Sequence, residues 1–148
     1  GQAEEIAMFT RSNRFTDAYS KVGLETGVDI ANPHRLITML FDGAILALGS
    51  AAAAMKEGRI AEKGKMISMA IDIISSGLQA SIDVQAGGEL SERLTGLYDY
   101  MCQRLLYANL RNDEAALDEV SRLLAEIRGA WEEIASDPAV VSLNKSAA

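Results

Sequence analysis

The sequence predicts an all-α protein: an antiparallel up-and-down four-helix bundle preceded by a short amphipathic N-terminal helix or arm. Three observations carry this prediction. Four segments of about 22 to 26 residues each repeat apolar residues in steps of three and four, the period of a helix with one buried face. The connectors between them are only a few residues long, which makes sequential helices run antiparallel. Among 148 residues only 2 are Pro and 5% are aromatic, too few for the strands and turns of an all-β chain.

The first long segment is the best marked. Asn32 suits the cap position and Pro33 the first helical position, and apolar residues follow at 36, 40, 44, 48, 51/52 and 55. Gly58, after Lys56 and Glu57, is a natural stop. The second segment runs from about Ile60 to Gln85 as one helix, with the stripe Ile67, Ile71, Ile74, Leu78 and Ile82, and ends at Gly87-Gly88. The third spans about Glu89 to Arg111 on Leu90, Leu94, Leu97, Met101, Leu105 and Ala108. Asn112-Asp113 then offers a cap for the fourth, whose seam is Leu117, Val120, Leu124, Ile127, Trp131 and Ile134, closed by Pro138. Each helix is roughly 33 to 39 Å long at 1.5 Å per residue.

These elements divide the chain into an arm at 1–31, a bundle at 32–137 and a flexible tail at 138–148, where Ser142–Ala148 is small and polar. In the arm, Phe15, Tyr19 and Val22 fall four and three apart, enough for one short amphipathic helix. Gly23, Gly27 and Asp29 then form a loop into Asn32. The arm is too short to be a bundle member, so it docks on the outside. Met8 fits a native start, which leaves Gly1–Ala7 as either an added remnant or native sequence.

Composition excludes several functions. Lys and Arg total 14 against 21 Asp and Glu, a net charge of −7, so a phosphate-backbone binder is not expected. The single Cys forms no internal disulfide, and the single His excludes multi-His metal sites. No Glu-x-x-His pair supports a di-iron bundle, and no glycine-rich phosphate loop occurs. No signal peptide stands at the N-terminus. The most apolar stretch, Gly43–Met55, is shorter than the roughly 20 residues of a membrane span. A cytoplasmic protein without cofactor, metal or membrane insertion is the expectation. His34 reads as a solvated or end-capping residue, and Cys102 as a small buried or flanking one.

What remains is apolar and aromatic material off the core stripes. Tyr100 and Tyr107 lie about 20° apart on the third helix, flanking its stripe, with Arg104 near the Tyr100 edge and Tyr98 on the other side. They either cover the bundle edge or wall an amphipathic groove. The first helix is apolar on two adjoining tracks, 36/40/44/48 and 37/41/45/52, where a bundle core needs one. The surplus either meets the arm or receives a partner. Gly43 in mid-helix costs about 1 kcal/mol against Ala, which indicates either close approach by another segment or tight helix packing.

In order along the chain, Ala18-Tyr19-x-x-Val22, Asn32-Pro33-His34-x-Leu36-Ile37-x-Met39-Leu40-Phe41-Asp42-Gly43-Ala44, Lys63-Gly64 and Ala70-Ile71-x-Ile73-Ile74 stand out. Gly87-Gly88-Glu89, Leu97-Tyr98-Asp99-Tyr100-Met101, Arg104-Leu105-Leu106 and Ala108-Asn109-Leu110-Arg111-Asn112-Asp113 follow, then Glu119-Val120, Leu123-Leu124 and Ala130-Trp131. Together they resemble the FliS family of flagellar secretion chaperones, over about Phe15 to Ile134. The resemblance implies no enzymatic activity, and a cytoplasmic chaperone that binds the C-terminal segment of flagellin, blocks its early polymerisation and presents it to the flagellar type III export gate. It further implies that the N-terminal arm competes for part of that surface. Combined with the surplus apolar surface, it assigns partner binding to Tyr19, Val22, Leu40, Phe41, Gly43, Ala44, Tyr98, Tyr100, Arg104, Tyr107, Ala108 and Asn109. The chain departs from the family pattern at Thr16, where an aliphatic residue is usual. A monomer or weak homodimer is expected. The alternative is a self-associating structural bundle whose surplus apolar face forms a homodimer.

Overall fold

The computed structural model describes residues 32–135, which place the four-helix bundle; the arm and the tail lie outside the described residues. Helix α1 (Pro33–Lys56) starts as its sequence dictates, with the Asn32 side chain accepting a hydrogen bond from the Arg35 N–H at 3.2 Å and Pro33 in the first turn. It ends at Gly58, whose φ of +71° a residue without Cβ adopts freely. Helix α4 (Gly88–Arg111) ends on Asn112 in the left-handed conformation, and the Asp113 carboxylate accepts from the Ala116 N–H at 3.2 Å to open α5 (Glu114–Ala135).

The second rod is not one helix. Helix α2 (Ile60–Asp72) passes into a π segment (Ile73–Leu78), a 3-10 turn (Gln79–Ser81) and the short α3 (Ile82–Gln85). The sequence there is Ser75-Ser76-Gly77, and side chains take up the carbonyls that a widened turn leaves free. The Ser81 hydroxyl donates to the Gly77 carbonyl at 2.7 Å, and the Gln85 amide donates to the Leu78 carbonyl at 2.6 Å.

The rods close a square: α1 packs on α2 and α5, and α4 packs on α2 and α5. Directions follow from the cross-links. Lys63, near the start of the second rod, meets Asn109 and Asn112 at the end of α4, whereas Gln85, at its far end, meets Tyr98. His34 at the start of α1 meets Trp131 near the end of α5. The rods therefore alternate in direction, as expected, and no strand occurs among the described residues.

The core is continuous from Leu40, Phe41 and Leu48 of α1 through Ile67, Ile73, Ile74 and Leu78 of the second rod to Tyr98, Met101 and Leu105 of α4 and Leu117, Val120 and Leu124 of α5. Both apolar tracks of α1 are used here: Leu36, Leu40, Ala44 and Leu48 are buried, and so are Ile37 and Phe41. Two stripe residues differ from expectation. Leu90 is 53% exposed and Ile134 41%, because both lie at the bundle end, where the last turns of α5 and the first turn of α4 overhang the core.

By length and composition, Pro33–Lys56 and Ile60–Gln85 are each apolar enough to cross a membrane, a longer reach than Gly43–Met55 suggested. Half of the apolar window of the first is buried inside the bundle. Its outer face is tied to α5 by polar contacts: Arg128 pairs with Asp42 at 2.5 Å and the Thr38 hydroxyl donates to Glu132 at 2.9 Å. These are the marks of a core helix.

Candidate partner-binding site

The structure separates the proposed contact residues into three groups. Leu40, Phe41, Ala44, Tyr98 and Ala108 have no exposed surface. They belong to the core in this conformation and support the surface from beneath. Tyr98 departs most from its expected flank position. Its ring is buried, and its hydroxyl donates to Gln85 Oε1 at 2.5 Å, which satisfies the one polar atom such a ring carries inside a core. Burial holds this phenol neutral well above the ordinary tyrosine range. Gly43, Arg104 and Asn109 are half-buried, and Tyr100 and Tyr107 are exposed. Tyr19 and Val22 lie outside the described residues.

The exposed tyrosines form one constellation on the seam between α4 and α5. The Arg104 guanidinium pairs with Glu119 at 2.8 Å, and the Tyr100 hydroxyl donates to the other Glu119 oxygen at 2.9 Å. The same guanidinium sits 5.1 Å from the Tyr107 ring centre, over its face. Glu119 accordingly stays ionised below the usual glutamate range, chiefly because Arg104 and then Tyr100 donate to it. The Tyr100 hydroxyl is held neutral above its ordinary range by its hydrogen bond to Glu119 and by partial burial. Glu119 thus holds Tyr100 and Arg104 covers Tyr107, while both rings remain exposed to solvent.

Beside this seam lies apolar surface absent from the expected contact set. Leu106 is 60% exposed and Leu110 78%, and with Tyr100 and Tyr107 they give α4 an apolar outer strip. The signal was present in the sequence: at 100° per residue Leu106 and Leu110 lie roughly 140° and 180° from the centre of the core stripe, where a solvated helix carries polar residues.

Two supporting contacts also escaped the spacing argument. Lys63 is buried, and its ammonium donates to the Asn109 carbonyl at 3.0 Å and to Asn112 Oδ1 at 2.5 Å. A cation at the end of α4 satisfies a free carbonyl and the helix dipole together. His34 does more than end a helix. Its ring stacks on Trp131 at 4.3 Å, its Nε2–H donates to the Trp131 carbonyl at 2.8 Å, and the Trp131 indole N–H donates back to the His34 carbonyl at 3.0 Å.

Several concavities open on the described bundle; one of about 350 Å³ lies around His34, Arg35, Thr38, Met39, Asp42 and Glu132. A groove of about 400 Å³ between α1 and α5 is lined by Leu48, Gly49, Ala52 and Lys56 against Glu114, Ala115, Leu117, Asp118 and Ser121, a mixed polar lining. At the opposite end, a hollow of about 260 Å³ is almost wholly apolar, with Phe41, Leu90, Leu94, Ile127, Ala130, Trp131 and Ile134 around Gln85 and Glu126. No group of three His, Cys, Asp or Glu that could hold a metal occurs among the described residues. The Cys102 thiol is half-buried and pushed up to about 11 by that burial and by Asp99, so it is protonated and a poor nucleophile at neutral pH.

A model of the flagellar protein FliS matches residues 15–138. The flagellar secretion chaperone FliS of Salmonella typhimurium is 48% identical over 127 residues, covering 86% of this chain and 93% of that protein. Its counterpart in Escherichia coli is 43% identical over 126 residues, 85% of this chain and 93% of its own length. The flagellar secretion chaperone FliSB of Pseudomonas aeruginosa is 47% identical over 116 residues, 78% and 91%. With near-complete mutual coverage and the bundle that the motifs required, the chain belongs to the FliS family of flagellar secretion chaperones, a family without enzymatic activity.

Proposed function

We propose that this chaperone binds the C-terminal segment of flagellin in the cytoplasm, keeps it from polymerising early, and hands it to the flagellar export gate of the type III apparatus. The observation that supports this reading is the outer strip of α4. Tyr100, Leu106, Tyr107 and Leu110 are large apolar residues in solvent, on a helix whose other face fills the core. A disordered segment that folds on binding needs apolar surface to offset its ordering cost, and an exposed amphipathic helix face supplies it. The mechanism is mass action: a segment ordered on the bundle is withheld from a filament.

Isothermal titration of a flagellin C-terminal segment tests it. Tyr107→Ala combined with Leu110→Ala should weaken binding at least tenfold, about 1.4 kcal/mol, with unchanged melting. Wild-type affinity in that variant places the contact elsewhere. The competing reading, a homodimer through the same strip, predicts a dimer in light scattering that the flagellin segment does not dissociate.

A further inference from the structure

The apolar hollow at the end of the bundle is built largely from the last turns of α5: Ile127, Ala130, Trp131 and Ile134 all face it. The described residues end at Ala135, one residue past a wall residue. Pro138 follows. Its ring has no N–H and clashes with the carbonyl four residues back, that of Ile134, and it biases Asp137 to extended backbone. The sequence therefore favours an exit from the helix axis near the hollow. Immediately beyond Pro138 comes the apolar run Ala139-Val140-Val141-Ser142-Leu143.

Reach and charge both fit a return. From Ile134 to Leu143 an extended chain spans up to roughly 30 Å, whereas the α5 wall from Ile127 to Ile134 is roughly 10 Å long. Lys145 is the only charged residue after Asp137, and Glu126 stands at the rim of the hollow. The arm joins at Asn32, and the α1 residue in the wall, Phe41, lies roughly 13 Å further along the helix, so the arm is the rival occupant that the test below separates.

We propose that the segment Ala139–Leu143 folds back into this hollow, with Val140, Val141 and Leu143 against Leu90, Trp131 and Ile134. As a tethered occupant it holds the hollow at an effective concentration on the order of 1 mM, so any external apolar segment must displace it. Access to this end of the bundle is then set by the chain's own tail, independently of what binds the α4 strip.

Trp131 is the only tryptophan in the sequence, so its fluorescence reports the hollow directly. In the full chain, Val140→Asp with Val141→Asp and Leu143→Asp should raise acrylamide quenching of Trp131 by about twofold or more, with an unchanged far-ultraviolet spectrum. A synthetic peptide of residues 136–148 at about 1 mM should reverse the rise. Leu90→Asp in the wall should produce the same increase, and combining it with the tail substitutions should add nothing, since both remove one contact. Equal quenching in wild type and tail variant overturns the proposal. So does a rise caused by Phe15→Asp with Tyr19→Asp in the arm and not by the tail, which makes the arm the occupant.

Discussion

Glu119 joins two helices through two partners: it accepts from Arg104 and Tyr100 across the seam, while Arg104 in turn covers Tyr107. Its pKa is lowered in the folded state, so its ionised form is favoured by folding. The stability this confers is complete above the ordinary glutamate range, near pH 4.5, and is lost as pH falls through the lower folded value. Glu119→Gln should therefore melt lower than wild type at neutral pH, and the gap should narrow as the pH drops below about 4. Thermal melts of both proteins across that range check it; a constant gap would mean that Glu119 acts through packing alone. The pair Arg104–Glu119 is half-exposed, so its main effect is to fix the tyrosine rings, with a small share in stability.

At the scale of the element, α5 and α4 divide the labour between core and surface. Leu124 is fully buried on α5, and Leu124→Ala should cost about 2 to 5 kcal/mol in urea unfolding. Tyr100 is 40% exposed, and Tyr100→Ala should cost clearly less while weakening binding of a flagellin segment. Equal destabilisation by the two would make Tyr100 a core residue. The caps, the antiparallel order and the stripes of α1 and α5 were legible in the sequence because Asn32-Pro33, Asp113 and a strict three-four spacing are local signals. The break in the second rod was not. A stripe counted at a constant angle carries Ile67 to Ile82 straight through, whereas the turn at Ile73–Leu78 is wider, and the bonds from Ser81 and Gln85 that stabilise it depend on side-chain placement. The contact set was legible only in part, for a similar reason. Helical angles place Tyr98 near the flank of α4, but its burial depends on how the neighbouring rods pack around the ring, and its hydroxyl on the position of Gln85. Leu106 and Leu110 were readable as outward-facing, yet an outward leucine becomes informative only once the neighbouring helices are known not to cover it.

For the whole molecule, the core cluster of the described residues begins at Ile37 and draws on all four rods of the bundle. Deleting residues 1–31 should leave the helical spectrum and cooperative melting of the bundle intact, and should keep or raise its affinity for a flagellin segment if the arm competes for that surface. Circular dichroism and titration of the shortened protein check both halves. Loss of cooperative melting would make the arm a structural member.

The tie between Lys63 and the end of α4 has a further consequence, in the chemistry of amines. Lys65, two residues away, is exposed, while the Lys63 nitrogen is enclosed by Asn109 and Asn112. An acylating reagent should modify Lys65 at once and reach Lys63 only when the last turn of α4 frays, at least about tenfold more slowly. Mass spectrometry of the labelled peptides would then time the opening of that helix end, and a Lys63 that labels as fast as Lys65 would show the tie to be open in solution.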